Sequence, residues 1–183
     1  PGFYVDVGAF SPKRFSNTYF LYRRGWQGIT IEPNPGTRWA FRITRPRDLH
    51  LNCAVGLTRG EVVFRNSGYS AMNSLISKRK LAEDNRTGKG LKLECYPLID
   101  IFSKYLAKDK KIDLLSVDCE GADLEVLMSN DWTLYRPKFV CVEDFEWGRK
   151  PRKWKTPISD FLIHWNYEPI GWMGPSVIYL INQ

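Results

Sequence analysis

Apolar residues fall into short, β-branched runs bounded by turn formers. The first, Phe3-Tyr4-Val5-Asp6-Val7-Gly8-Ala9-Phe10, ends on an acid and a glycine, and the second, Gly28-Ile29-Thr30-Ile31-Glu32-Pro33-Asn34, also ends on an acid. Runs that are continuously apolar suit strands buried on both faces of a parallel sheet. Further strands are expected over 49–55, 91–96, 112–118 and 138–143, with a hairpin through 60–65. Helical spacing predicts helices over 16–24, 36–44, 98–106, 122–128 and 158–165, with Ser16 or Asn17 capping the first. Residues 168–172 and 177–181 flank a Met173-Gly174-Pro175 turn and read as a closing hairpin that brings an antiparallel strand into the sheet. Residues 68–90 are polar and glycine-bounded with a helical centre near 76–83, the pattern of an inserted flap. Near-strict alternation of strand and helix predicts an α/β sheet covered on both faces.

Such sheets bind ligands beyond the carboxyl ends of their strands. Acids recur there: Asp6, Glu32, Asp118 with Glu120, and Glu143 with Asp144. A glycine at the first strand–helix turn and an acid about 20 residues on are the marks of a nucleoside-containing cofactor, the acid meeting the ribose. Only Gly8 stands where a dinucleotide fold carries GxGxxG, since Ala9-Phe10-Ser11-Pro12 follows it. A pyrophosphate is therefore disfavoured, and NAD with it.

With 183 residues, one domain with a substantial core is expected. The chain opens almost inside its first strand, so a leading segment is expected to be missing. No apolar run is long enough to span a bilayer. Cys53, Cys95, Cys119 and Cys141 lie far apart without CxxC spacing, which suits buried reduced thiols in a cytoplasmic protein rather than a zinc site. A net charge of +7 points to an anionic partner, whether nucleic acid, glycan or membrane surface.

The blocks Val5-Asp6-Val7-Gly8-Ala9, Ser16-Asn17-Thr18, Gly25-Trp26-Gln27-Gly28-Ile29, Ile31-Glu32-Pro33-Asn34-Pro35 and Asp118-Cys119-Glu120-Gly121-Ala122-Asp123-Leu124-Glu125-Val126-Leu127 resemble, in order and spacing, the FkbM family of S-adenosylmethionine-dependent methyltransferases. The resemblance implies a Rossmann-like, three-layer class I methyltransferase fold of seven strands with an antiparallel C-terminal strand. It further implies O-methylation of a hydroxyl on a sugar, glycan or secondary metabolite.

On this reading S-adenosylmethionine is the cofactor. Gly8 and Ala9 form the tight turn under its methionine part, Ser16 and Asn17 hold its carboxylate, and Asp6 meets its ammonium. Glu32 takes the ribose hydroxyls beside Pro33 and Asn34, and Ala54 and Val55 border the adenine. Asp118 or Glu120 is the candidate base for an alcohol. A second mechanism places Mg2+ on Asp118, Glu143 and Asp144, an oxygen-rich set. His50 and His164 have no motif partner and read as structural. The rival readings are a nucleic-acid methyltransferase and a non-catalytic nucleoside-binding module. Against the first, the fourth strand ends Ser116-Val117-Asp118-Cys119-Glu120 instead of Asn/Asp-Pro-Pro-Tyr. Oligomeric state is left open.

Overall fold

The structure, a computed structural model, describes residues 1–65, 74–76, 91–107, 109–147 and 155–182. Its elements are β1 (Phe3–Val7), α1 (Tyr19–Arg23), β2 (Gln27–Ile31), a 3-10 turn (Pro35–Thr37) running into α2 (Arg38–Thr44), β3 (Leu49–Leu51), β4 (Ala54–Val55), β5 (Gly60–Arg65) and β6 (Ser74–Ile76). They continue with β7 (Leu91–Tyr96), α3 (Leu98–Tyr105), β8 (Leu114–Val117), α4 (Asp123–Met128), β9 (Phe139–Glu143), α5 (Pro157–His164), β10 (Tyr167–Met173) and β11 (Ser176–Ile181).

The main sheet has seven strands in the order β3-β2-β1-β8-β9-β11-β10. Pairing is parallel from β3 to β9, and β11 runs antiparallel to both its neighbours. This is the mixed α/β, mostly parallel architecture that the alternation predicts, with the closing hairpin supplying the antiparallel strand.

Register divides the sheet into two unlike faces. Asp6 lies opposite both Ser116 and Thr30, and Thr30 lies opposite His50, so these polar residues share one face. Val5, Val7, Ile29, Ile31, Leu115 and Val117 alternate with them and join a core completed by Leu98, Phe102, Val126, Leu127 and Leu162 from α3, α4 and α5. Trp132 is fully buried there; its Nε1 donates to the Leu127 carbonyl at 2.8 Å, and its ring meets Phe161, Trp165 and Tyr167. The start of α5 has a local cause: Thr156 and Ser159 exchange side-chain and backbone hydrogen bonds in a capping box, with Pro157 in the first turn.

The middle of the chain departs from expectation. The strand expected over 49–55 breaks at Asn52, whose Nδ2 donates to the carbonyls of Glu32 and Asn34 at 3.1 Å each. Beyond the break, β4 pairs with β7 in a second sheet of order β4-β7-β5-β6, and β5 runs antiparallel to β7 and β6. Of the expected flap, Ser74–Ile76 is strand β6, which corrects a helix beginning at Ile76; the rest of 68–90 lies outside the described residues. The first helix starts at Tyr19, because Phe15 takes a left-handed φ of +55° and the Ser16 hydroxyl accepts the N–H groups of Thr18 and Tyr19. Among the described residues, no helix is long and apolar enough to cross a membrane.

Candidate active site

The carboxyl ends of β1, β2 and β8 open on a crevice of about 730 Å³, counting its mouth. Gly8, Phe10 and Phe15 line it after β1, Ile31, Glu32 and Pro33 at the end of β2, Cys53, Ala54 and Val55 around β4, and Asp118, Cys119 and Glu120 after β8. A glycine is required at position 8: its φ is +79°, and a Cβ there would lie 1.8 Å from the Asp118 carbonyl oxygen. The N–H groups of Gly8 and Ala9 both donate to the Ile31 carbonyl, at 2.9 and 3.1 Å, which ties the first turn to the end of β2.

Glu32 is the best-anchored group in the crevice. One carboxylate oxygen accepts the N–H of Phe10 and the other the N–H of Asn34, both at 2.8 Å. Burial raises its pKa, while these two hydrogen bonds favour the charged form. The side chain is thereby locked in one rotamer, with its remaining lone pairs free for a ligand. The Asn34 side chain itself is turned to Gly36 N, which it caps at 3.0 Å, so only its backbone serves Glu32.

Backbone strain gathers at the same place. The described non-glycine residues with positive φ are Phe10, Phe15, Glu120 and Asn166, and the first three line the crevice. The turn after β8 is fastened by Asp123, a buried carboxylate that accepts from Cys119 N and Gly121 N at 2.9 Å each. Asp123 reads in the sequence as an ordinary first-turn acid; here it shapes the loop that presents Asp118 and Glu120.

Glu143, at the end of β9, lies beside Asp118, since Val142 pairs with Val117 one residue earlier on each strand. Burial and the charge of Asp118 push Glu143 up to about 8, which favours its protonated form beside the Asp118 carboxylate. Burial also raises Glu120, helped by the charges of Asp118 and Asp123. Asp144 is not part of this group. It is buried on the other side, accepting from the Thr156 hydroxyl and from the N–H groups of Glu146 and Trp147. Of the expected Mg2+ set, Asp144 is thus turned to Thr156 and away from Asp118 and Glu143. Among the described residues, no group of three His, Cys, Asp or Glu side chains is placed to hold a metal ion.

Asp6 and Ser16 also point away from the crevice, into a network around the buried Arg45. The guanidinium donates to Asp48 and Tyr4 at 2.7 Å, to Thr18 at 2.7 Å and to Ser16 at 3.2 Å. The Thr18 hydroxyl in turn donates to Asp6, and Asn17 donates to the Ser116 hydroxyl at 3.1 Å. Burial raises Asp6 to about 6, against the lowering effects of Thr18 and Arg45. The sequence expectation that Asp6, Ser16 and Asn17 hold cofactor is thus met by side chains already engaged with protein, because Asp6 alternates with the core-facing Val5 and Val7 onto the α1–α2 side. Arg45 escaped sequence reasoning altogether; it looked like one more residue of a basic helix end. His50 stacks on Phe41 at 4.1 Å, and burial lowers it to about 4, so it is neutral and structural.

A family profile described as the methyltransferase FkbM domain matches residues 6–167, most of the chain and all of this crevice. The chain belongs to the FkbM family. Neither the curated proteins nor the solved structures contain a match. Membership makes this FkbM domain a methyltransferase by family and implies S-adenosylmethionine as methyl donor in general. Four of the seven tryptophans divide: Trp132 and Trp147 are buried, Trp165 packs on the core, and Trp172 is exposed. None of the four lines the crevice; Trp154 lies outside the described residues.

Proposed function

We propose that residues 1–183 act as one methyltransferase domain that transfers a methyl group from S-adenosylmethionine to a hydroxyl on a sugar, glycan or secondary metabolite. The observation that carries this reading is the Glu32 carboxylate, pinned by Phe10 N and Asn34 N in the crevice. Its chemistry fits an adenosine unit: a fixed acceptor for two ribose hydroxyls, with Ile31, Pro33, Ala54 and Val55 as apolar walls for a base. Asn34, Gly8 and Ala9 contribute backbone shape rather than side-chain contacts.

When bound, S-adenosylmethionine supplies an electrophilic methyl carbon on a sulfonium. Asp118 orients the acceptor hydroxyl and takes its proton as the acceptor oxygen forms its bond to that carbon and the bond from carbon to sulfur breaks. Glu143 is a positioning residue: its own proton, held by burial, stays hydrogen-bonded to Asp118 and keeps one Asp118 oxygen directed at the acceptor. Glu120, exposed on a left-handed backbone at the rim, is placed to meet the acceptor rather than the donor. The absence of an Asn/Asp-Pro-Pro-Tyr block after β8 favours an oxygen acceptor over an exocyclic base nitrogen.

The test is incubation with methyl-labelled donor and fractionated lysate. Label is expected in glycan or small-molecule pools as an alkali-stable ether; label confined to RNA would overturn the acceptor class.

A further inference from the structure

The whole positive excess of the chain sits in one stretch. Residues 13–47 hold eight Lys and Arg against a single acid, Glu32, which leaves nineteen charges of each sign for the remainder. All eight except Arg45 are exposed. The stretch contains α1 and α2, which lie side by side on the same face of the main sheet: Arg45, just after α2, bonds Thr18 and Ser16 ahead of α1, and Arg47 donates to the Tyr22 carbonyl at 2.6 Å.

The outer surface of this layer is also apolar to an unusual degree. Trp39 is 66% exposed and Ile43 77%, one turn apart on α2; Phe20 on α1 is 60% exposed. Each ring carries a guanidinium: Arg42 lies 5.4 Å from the Trp39 ring centre and Arg24 lies 4.3 Å from that of Phe20. Paired in this way, the rings stay partly covered in water while the cations face outward.

We infer that the outer face of α1 and α2 docks on an anionic lipid surface. Arginines seated beside Trp and Phe suit the phosphate level of a bilayer, where aromatic rings favour the interface and cations gain from anionic headgroups. Ile43 decides between this surface and a nucleic acid. A base stacks on Trp39 or Phe20 but has no use for a bare aliphatic side chain beside them, whereas the acyl boundary does. The docking stands apart from the methyl-transfer reading, since none of Phe20, Arg24, Trp39, Arg42 and Ile43 lines the crevice.

The experiment is co-sedimentation of the full chain with vesicles of phosphatidylcholine alone and of phosphatidylcholine with phosphatidylglycerol. Single-stranded RNA serves as competitor. The wild type is expected to bind only the anionic vesicles. Arg38→Gln with Arg42→Gln is expected to weaken binding about 30-fold, and Trp39→Ser with Ile43→Ser about tenfold at unchanged charge. S-adenosylhomocysteine affinity, read by calorimetry, stays unchanged in both variants, so failure here leaves the crevice reading intact. Equal binding to both vesicle types overturns the inference. So does anionic binding undiminished by Trp39→Ser with Ile43→Ser, or RNA bound more tightly than the vesicles.

Discussion

On one face of the main sheet, Val5, Val7, Ile29, Ile31, Leu115 and Val117 pack against α3, α4 and α5; on the other, Tyr4, Asp6, Thr30 and Ser116, from the same strands, lie under α1 and α2 around the Arg45 network. The two faces hold their helices by different physics. Apolar packing is non-directional and tolerates local repacking. The Arg45 network is directional, and each member left without its partner is a buried charge or polar group. That network also fixes the crossover after β1: Ser16 and Thr18 are bonded to Arg45, and Phe15, next in the chain, lines the crevice. The polar face therefore sets the geometry of the site, while the apolar face supplies bulk stability.

The sharpest way to break this contrast is Arg45→Met. It strands Asp48, Asp6 and Tyr4 and is expected to cost about 3–5 kcal/mol in denaturant unfolding at neutral pH. The loss should grow with pH. Without the guanidinium the Asp6 pKa rises above its present value of about 6; both proteins lose stability as pH climbs from about 3.8 to about 6, and the variant alone goes on losing it above that. Leu115→Ala on the opposite face is expected to cost about 3 kcal/mol without pH dependence in the same range. Thr18→Val, which removes one hydroxyl shared by Asp6 and Arg45, should cost about 1–2 kcal/mol.

The smallest effect on stability, and the most informative on the site, belongs to Glu143→Gln. The raised pKa of Glu143 means that wild-type stability from this group is full below about 4.5 and is lost as pH rises through about 8. The variant should therefore gain on the wild type as pH increases across that interval. Methyl transfer by the wild type should change slope near pH 8, where the Asp118–Glu143 pair loses its shared proton, and that inflection should vanish in Glu143→Gln. An unchanged pH–rate profile would remove Glu143 from the mechanism.

The apolar face was legible in the sequence because runs such as Ile29-Thr30-Ile31 and Leu114-Leu115-Ser116-Val117 betray buried parallel strands whatever their neighbours. Gly8 and Glu32 were legible because a strand-end turn and an acid after the second strand are local signals. The Arg45 network was not, since its partners Tyr4 and Thr18 are distant in sequence and each, like the nearby Asp48, is unremarkable alone. The second sheet was missed for a similar reason: β4 is two residues long, and its pairing with β7 spans some forty residues of intervening chain. The side to which Asp144 turns was not legible, because periodicity gives the face of a strand residue but stops where the strand stops, here at Glu143.

The central claim is that a carboxylate held by two backbone N–H groups grips an adenosine diol. Titrating S-adenosylhomocysteine into the wild type and Glu32→Ala by calorimetry tests it most directly, with thermal unfolding confirming that both are folded. Losing a charged acceptor of two hydroxyls should weaken binding about 10- to 100-fold. Equal affinity in the two proteins would contradict the account.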